Sequence, residues 1–282
     1  MRHGQKGVCM SYLLHLRPCQ VGESLLLLPA PPGIVPDHRA GGTDGLGGSH
    51  WLLAPTPEQR RTLATLPVGT DFCDVNGQPS FKLTGQLRLP SPGHALACPL
   101  LTALLPCAGG KAAFSTRKEG RSLAWVTLSD KGSLGQREDQ SGPAIEALLA
   151  RHLPLCHSQG FLLPDEADAL RALLTDLALC QGFDLICTTG GTGLSPRDIA
   201  PQVTASVLDL PLPGFSQAMM AASLKATPHA AISRAVAGTL GRSIIINLPG
   251  SKRGATENLA AVLPALSHAL DKLHGDPADC GG

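Results

Sequence analysis

The sequence predicts two parts of different fold class: an α/β domain with a doubly wound, mostly parallel sheet, preceded by a small β-rich domain. Three observations lead to this prediction. From about residue 121 to residue 274, continuous apolar runs alternate with helical patterns. Before residue 108, the chain is rich in proline and glycine and shows little helical periodicity. Residues 108–120, "AGGKAAFSTRKEG", are small, polar and basic, and they are predicted to be a linker.

Residues 1–107 form the predicted β-rich accessory domain, to which the sequence assigns no role. Segments such as "LPVGTDF" and "FKLTGQLRL" are typical of short strands joined by turns. One helix is expected near "TPEQRRTLATL", beginning at Thr56 or Pro57. Residues 39–51, "RAGGTDGLGGSHW", are predicted to be a glycine-rich loop. The histidines and cysteines of this part lack the spacing of metal ligands, so a metal site is not favoured.

In the second part, four continuous apolar runs predict parallel strands that are buried on both faces. The runs are "SLAWVTLSD" (122–130), "GFLL" (160–163), "FDLICTT" (183–189) and "RSIIINLPG" (242–250). Helical spacing is present in "SGPAIEALLARHL", "PDEADALRALLTDLALCQG" and "ATENLAAVLPALSHALDKLHG". This alternation predicts one doubly wound domain over residues 121–274. Residues 275–282 are expected to be a flexible tail.

The composition excludes several classes of function. The 282 residues carry a net charge of +1 and only 3% aromatic residues, which disfavours a nucleic-acid-binding protein. The nine cysteines are odd in number and form no Cys-x-x-Cys pair, which indicates free thiols in a reducing compartment. No apolar run approaches the roughly 18 residues of a membrane span, and the start of the chain lacks a convincing signal peptide. We therefore expect a cytoplasmic protein without a membrane partner.

Each predicted parallel strand ends in polar or glycine-rich residues, and ligands of such sheets bind beyond the carboxyl ends of the strands. These residues are, in chain order, Asp130, Asp165, "TTGGTG" (188–193) with Asp198 soon after, and "NLPGS" (247–251). Other interpretations stay open for each residue alone. Asp165 or Ser251 could cap a helix, and Asp130 could belong to a turn. The glycines could permit a tight turn, and Arg197 could form a solvated ion pair with Asp198.

Together, the glycines and aspartates favour a magnesium nucleotide site. Glycines let phosphates approach backbone N–H groups, and Mg²⁺ is bound by one or two carboxylates together with phosphate oxygens. The loop is not a Walker A motif, because no Gly-Lys-Ser/Thr follows it. It is not the dinucleotide-binding fingerprint either, because Pro196 stands where the third glycine would be.

Several ordered motifs in residues 121–274 resemble the molybdopterin adenylyltransferases, the MogA/MoaB-like proteins that include the G domain of gephyrin. The motifs are "VTLSDKGSLGQREDQSGPAIEALL", "LLPDE", "TTGGTGLSPRDIAPQ", "LPGFSQAM", "ATPHAAISRAVAG" and "IIINLPGS". The resemblance implies a MogA/MoaB-like fold and a reaction between molybdopterin and ATP that requires Mg²⁺. The terminal phosphate of molybdopterin attacks the α-phosphate of ATP, giving adenylyl-molybdopterin and pyrophosphate.

The resemblance also implies roles for individual residues. Asp165 and Asp198 match the two aspartates associated with catalysis and with the metal of Mg-ATP. Positions that match the binding pocket for substrate and nucleotide are Asp130, Thr189, Gly190, Gly191, Thr192, Gly193, Ser233, Arg234, Pro249, Gly250 and Ser251. A homotrimer and a partner protein for molybdenum insertion are further expectations from the resemblance.

This sequence departs from the family pattern in two places. Gln217 stands where the family has a carboxylate, and Met220 stands where a basic residue is often found. After "LPGS", Lys252 and Arg253 stand in place of the common proline. The ligand contacts of residues 214–220 and 251–254 are therefore left open. Two other functions remain as alternatives: a domain of the same fold that binds pterin or serves as a scaffold without catalysis, and a hydrolase or ligase acting on another nucleotide.

Overall fold

The computed structural model describes residues 10–30, 50–53, 55–91 and 94–276. The chain divides into two compact units, Met1–Glu119 and Gly120–Gly282. Most of the glycine-rich loop predicted at 39–51 lies outside the described residues, as does the predicted tail from residue 277 onward. Among the described residues, no helix is both long enough and apolar enough to cross a membrane.

In the first unit, the described strands close into a seven-stranded barrel, which confirms the predicted β-rich character. The strands are β1 (Ser11–Leu16), β2 (Ser24–Pro29), β3 (His50–Leu52), β4 (Asp71–Cys73), β5 (Pro79–Ser91), β6 (His94–Ala103) and β7 (Gly110–Arg117). Their order around the barrel is β1-β3-β2-β6-β5-β4-β7, and β1 pairs with β7. Alternate residues of β1, Tyr12, Leu14 and Leu16, are buried, as a strand with one face on a core requires.

One helix, α1 (Pro57–Thr65), accompanies the described part of the barrel and begins where the sequence predicts. Thr56 and Gln59 form a capping box, in which each side chain accepts the backbone N–H of the other residue, at 3.1 and 3.0 Å. Pro57 occupies the first turn, where its missing N–H costs no hydrogen bond. Leu63 is buried and attaches the helix to the barrel core.

The predicted linker at 108–120 is wrong, because most of it is strand β7. This strand pairs with β1 from Gly110 to Ser115, and its end pairs with β4. Only Phe114 of the strand is buried, while its other side chains are partly or fully exposed. Because this strand buries so little apolar surface, its residues are mostly small, polar or basic, as in a linker. The sequence therefore predicted a linker instead of a strand.

The second unit contains a six-stranded sheet in the order β11-β12-β13-β10-β8-β9. The strands are β8 (Arg121–Leu128), β9 (Leu155–Leu163), β10 (Leu185–Thr189), β11 (Leu210–Pro211), β12 (Ala237–Leu240) and β13 (Ser243–Leu248). Strands β9, β8, β10 and β13 are parallel, and β12 and β11 add an antiparallel edge. The four parallel strands are the four predicted ones, and the doubly wound, mostly parallel sheet is confirmed.

Helices cover both faces of this sheet. They are α2 (Asp130–Ser133), α3 (Ser141–Leu149), α4 (Ala167–Thr175), α5 (Ala200–Val207), α6 (Pro213–Ala226) and α7 (Lys252–Leu273). A π-helical segment, Asp176–Gln181, and a 3-10 helix, Pro228–Ile232, complete the unit. Helix α7 contacts both α3 and α6, whereas α4 contacts α5. Every residue of β10 and β13 is buried, which explains their continuous apolar sequences.

The antiparallel edge was not predicted. Strands β11 and β12 are only two and four residues long, and they consist of small residues, leucine and proline. Segments this short carry no periodic signal. They do not alter the carboxyl edge of the parallel strands, where the candidate site lies.

Candidate active site at the carboxyl edge of the sheet

The candidate site lies where the order of the parallel strands reverses. Strand β9 flanks β8 on one side and β10 flanks it on the other, so the chain moves outward in opposite directions from β8 and β10. The carboxyl ends of such neighbouring strands form the usual ligand crevice of doubly wound sheets. A cleft of about 470 Å³ opens at this edge. Its lining includes Thr127, Ser129, Arg137, Asp139, Ser141, Thr189, Gly250, Ser251 and Lys252.

The glycine loop after β10 is held tightly between the exits of β8 and β13. Gly190 has a φ of +99°, and a Cβ atom there would lie 2.6 Å from the carbonyl oxygen of Leu128. On the other side, its N–H donates to the carbonyl of Leu248 at 3.2 Å. The hydroxyl of Thr189 donates to the carbonyl of Pro249 at 2.7 Å. The glycine is therefore needed both for its backbone conformation and for the close packing of three strand exits.

Arg234 holds the far end of this loop. Its Nε donates to the carbonyl of Gly193 at 2.7 Å, and its Nη2 donates to the carbonyl of Asp198 at 2.5 Å. Its Nη1 donates to Oε1 of Gln202 at 3.1 Å, and its backbone N–H donates to the carbonyl of Thr192 at 3.0 Å. In this structure, Arg234 positions the loop, and three of its guanidinium donors are engaged in doing so. The predicted ligand contact of Arg234 stays a prediction.

Ser233 immediately precedes Arg234 and follows the 3-10 helix. Its backbone N–H donates to the carbonyl of Ala230 at 2.9 Å, and its hydroxyl oxygen accepts a long hydrogen bond of 3.5 Å from the N–H of Ala235. These bonds belong to the end of a helical turn. Its predicted part in the pocket stays a prediction.

Asp130 and Asp165 hold two neighbouring strand exits together. The N–H of Asp130 donates to Oδ2 of Asp165 at 3.3 Å, and the N–H of Asp165 donates to Oδ1 of Asp130 at 3.0 Å. The helix-cap interpretation of Asp165 is wrong, because the N-cap of α4 is Glu166, which makes no side-chain cap. Burial raises the pKa of Asp165 above its ordinary value. The hydrogen bond from the N–H of Asp130 acts against this rise, whereas the negative charges of Asp130 and Asp198 add to it.

Arg197 joins three loops of the site. Its Nη2 and Nε donate to the two carboxylate oxygens of Asp130 at 2.6 and 3.1 Å, and its Nη1 donates to Glu166 at 3.2 Å. The hydrogen bonds from Arg197 lower the pKa of Asp130 below its ordinary value. The alternative prediction, a local ion pair between Arg197 and Asp198, is wrong. In the described part of the chain, the Arg197 guanidinium pairs with Asp130 and Glu166 instead.

Asp165 and Asp198 flank the same glycine loop. A Cβ atom at Gly191 would lie 3.5 Å from Oδ1 of Asp165, and one at Gly193 would lie 2.8 Å from Oδ2 of Asp198. Oδ2 of Asp198 accepts the N–H of Ser195 at 2.7 Å, which fixes the carboxylate beside the loop. The structure thus brings together the two aspartates and the loop that the sequence singles out.

Asp139 is a cleft residue that the sequence analysis missed. Its Oδ1 accepts the N–H groups of Ser141 and Gly142, the first two residues of helix α3, at 2.9 and 3.0 Å, although the N-cap residue itself is Gln140. Its Oδ2 accepts the hydroxyl of Thr127 at 2.7 Å, and the hydroxyl of Ser141 donates to the carbonyl of Gly250 at 3.1 Å. The available signal was an aspartate two residues before a helical pattern, which is typical of a capping position.

The opposite wall of the cleft is the start of helix α7. Ser251 is its N-cap and accepts the N–H of Gly254 at 3.1 Å, so the cap interpretation of Ser251 is correct. Lys252 lines the cleft, whereas Arg253 pairs with Glu257 one turn along the helix at 2.7 Å. The N-terminus of a long helix attracts anions, and a lysine beside it adds a full positive charge.

The donor set at the loop fits Mg²⁺ only in company with a ligand. In the part of the chain that the structure describes, no group of three or more histidine, cysteine or carboxylate side chains could hold a metal ion alone. Mg²⁺ in nucleotide sites is bound by one or two carboxylates, with phosphate oxygens and waters completing the octahedron. Asp165 and Asp198, one on each side of the glycine loop, are the residues that would hold such an ion.

Comparison with known proteins places residues 124–268 in a family described as "Probable molybdopterin binding domain". Molybdopterin adenylyltransferase of Helicobacter pylori is 40% identical over 156 residues, which cover 54% of this chain and 86% of that protein. Gephyrin of Dictyostelium discoideum is 36% identical over 173 residues, 58% of this chain but only 24% of gephyrin. The solved structure of the molybdopterin biosynthesis enzyme MoaB from Thermus thermophilus is 43% identical, with a TM-score of 0.51, and covers 56% of this chain and 99% of that one.

Proposed function

The chain belongs to the family of molybdopterin-binding domains, and we propose that its second unit is a molybdopterin adenylyltransferase of molybdenum cofactor biosynthesis. The reaction would use Mg-ATP and molybdopterin and give adenylyl-molybdopterin and pyrophosphate. The observation that carries this proposal is the placement of Asp165 and Asp198 on either side of one glycine loop. A scaffold that only binds pterin has no need for two carboxylates beside a phosphate-binding loop.

The reaction requires the enzyme to position the two substrates and to neutralise their negative charge, rather than to supply a general base. The nucleophile is a phosphate that is already ionised, so the two anionic substrates must be aligned and their repulsion reduced. Mg²⁺, when bound with the nucleotide, supplies charge neutralisation at the phosphates. Asp165 and Asp198 would hold that ion, and the backbone of residues 190–193 would approach the phosphates without obstruction by side chains.

The remaining contacts keep this arrangement rigid. Arg197 fixes Asp130 and Glu166, and Asp130 in turn binds the backbone of Asp165. Arg234 fixes the far end of the glycine loop. We assign positioning roles to both arginines, because a catalytic constellation loses rate steeply when its parts shift by about 1 Å. Lys252 and the first turn of α7 would bind an anionic part of a substrate in the cleft.

Two substitutions test the proposal. Asp165→Asn and Asp198→Asn keep the shape of each side chain and remove its charge. We expect AMP transfer to molybdopterin to fall by at least about 100-fold in each variant, because the ion that neutralises the phosphates would be lost. The affinity for molybdopterin, measured on the same preparations, should stay within about threefold of the parent.

Asp168→Asn is the matched control. This aspartate lies in the first turn of the neighbouring helix α4, and its carboxylate pairs with Arg171 on the surface. Its removal should leave transfer unchanged. Near-normal transfer by both site variants would overturn the assignment of Asp165 and Asp198 to the magnesium site. Absence of transfer by the parent would overturn the adenylyltransferase proposal and leave a non-catalytic pterin-binding or scaffold domain. Loss of molybdopterin affinity in both variants would place the carboxylates in the pterin pocket and overturn the magnesium assignment.

The assembly and surroundings of the protein belong to the same proposal. We expect a homotrimer, a cytoplasmic location and contact with a protein that inserts molybdenum, on the strength of family resemblance. Sedimentation equilibrium of the full chain measures the first of these directly. A monomer at micromolar concentration would refute the trimer without bearing on the chemistry.

A further inference from the structure

Two cysteines of the barrel unit lie directly opposite each other. Cys19 follows β1 and Cys107 precedes β7, so the pair extends the ladder between these strands. The N–H of Cys19 donates to the carbonyl of Cys107 at 3.0 Å, and the N–H of Cys107 donates to the carbonyl of Cys19 at 2.9 Å. Residues that exchange both bonds in an antiparallel pair have Cα atoms about 5.5 Å apart and side chains on one face. That separation lies within the range that disulfides span.

The two side chains lie on the same face of the ladder. Both cysteines are free thiols, directly opposite each other in the antiparallel pair. Cys19 is only 4% exposed, whereas Cys107 is partly exposed. The N–H of Gly109 donates to Sγ of Cys107 at 3.3 Å, which orients this side chain. A reagent from solvent can therefore reach the thiol of Cys107. The buried thiol of Cys19 can then react with Cys107.

The other cysteines of the described barrel lack such a neighbour across the ladder. Cys73 lies opposite Pro79 on one side and Ser115 on the other. Cys98 lies opposite Leu87. A metal site does not explain the pair, because the described residues contain no group of three potential ligands and two thiolates do not complete a tetrahedral site.

We infer that Cys19 and Cys107 form a dithiol site that closes to an intramolecular disulfide by exchange with a small disulfide of the glutathione type. In the first step, the Cys107 thiolate attacks one sulfur of glutathione disulfide, and one glutathione thiolate leaves. In the second, the Cys19 thiolate attacks Sγ of Cys107, and the second glutathione leaves. The protons of the two thiols end on the two glutathiones, so one disulfide is consumed for each one formed.

The bond would lock the seam at which the barrel closes. Cys19 and Cys107 lie beside the first and last strands of the barrel, and every other described strand of the barrel lies between them in sequence. The disulfide would close a loop of about 90 residues, a length at which a crosslink strongly restricts the unfolded chain. Burial raises the pKa of Cys19 above its ordinary value, so this thiol reacts through a smaller thiolate fraction near neutral pH than an exposed cysteine. This site is independent of the adenylyl transfer proposed for the other unit.

Intact-mass analysis of the full chain tests the inference. After incubation with glutathione disulfide and trapping of free thiols, the parent should lose two hydrogens, and a peptide map should join Cys19 to Cys107. The melting temperature of the barrel should rise by at least about 5 °C and return on addition of dithiothreitol. Cys73→Ser, which removes a buried barrel thiol without a facing cysteine, should behave like the parent.

The single variants separate the two roles. Cys19→Ser should stop at the mixed disulfide, with one glutathione on Cys107, and show no rise in melting temperature. Cys107→Ser should remain reduced at position 19, because the buried thiol is not reached from solvent. A parent that keeps one glutathione on Cys107, or whose peptide map joins either cysteine to a different partner, would overturn the inference.

Discussion

Replacing Gly190 by alanine tests why a glycine is needed at this position. It could be needed for the fold, through its positive φ and its close packing, or only to leave room for a ligand. The φ of +99° lies in the region that residues with a Cβ atom rarely adopt, and such strain costs about 1–3 kcal/mol. In addition, the new methyl group would lie 2.6 Å from the carbonyl oxygen of Leu128, so one of the two strand exits must move. Repacking of this kind adds about 1–3 kcal/mol.

We therefore expect Gly190→Ala to lower the free energy of unfolding of the second unit by about 2–6 kcal/mol. For a unit of this size, the melting temperature should fall by about 4–24 °C in scanning calorimetry of the full chain. Adenylyl transfer should fall more than stability alone explains. The displaced loop carries Gly191 and Gly193, which lie beside the two candidate catalytic aspartates.

Gly214→Ala is the matched control for adding one methyl group. No atom lies within 4 Å of a Cβ at Gly214, and this residue lies in the first turn of α6. Alanine has the higher helix propensity, so this variant should melt at the parent temperature or slightly above it. Equal melting temperatures for the two alanine variants would refute the reasoning about Gly190.

Two further predictions concern charge in the site. Lys252→Ala should raise the apparent KM for a substrate by about 3–10-fold at low salt, and by less at high salt. Arg253→Ala should leave KM unchanged, because Arg253 pairs with Glu257 outside the cleft. Equal kinetics for the two variants would contradict a role for Lys252 in binding the substrate. Burial raises the pKa of Asp165, so its ionisation begins to oppose folding once the pH exceeds the ordinary pKa of the unfolded state, and opposes it fully above the raised pKa of the folded state. In urea titrations, Asp165→Asn should be more stable than the parent at pH 7 and should lose this advantage below about pH 4; a variant less stable at pH 7 would contradict the sign.

The parallel sheet could be predicted because burial on both faces leaves a strong mark on the sequence. Strand β13 is buried at all six positions, and its sequence "SIIINL" is nearly all apolar. Strand β7 has the opposite character, since Phe114 alone is buried, and the same reasoning took it for a linker. Pairing with β1, whose residues lie about 100 positions earlier, decides its structure, and no local pattern reports such a pairing.

The site shows the same division between local and long-range information. The glycines and aspartates could be predicted as one group, because parallel strands bring their carboxyl ends to a common edge. The partners of Arg197 could not, since Asp130 lies 67 positions away and the adjacent Asp198 was the simpler choice. Asp139 was missed because its role depends on Thr127 at the end of a strand, which the helix pattern around it does not reveal.

The distribution of charge around the glycine loop supports a cation-binding role for Asp165 and Asp198. Four acidic side chains, those of Asp130, Asp165, Glu166 and Asp198, lie around the loop, and Arg197 pairs with Asp130 and Glu166. Among the residues that the structure describes, neither Asp165 nor Asp198 forms an ion pair, and the negative charge of Asp198 helps to raise the pKa of Asp165. Each accepts a hydrogen bond from a backbone N–H group, but these bonds leave both negative charges without a cationic partner among the described residues. A divalent cation that arrives with an anionic ligand would compensate these charges, and it would explain why Arg197 is fixed to other carboxylates and leaves these two available.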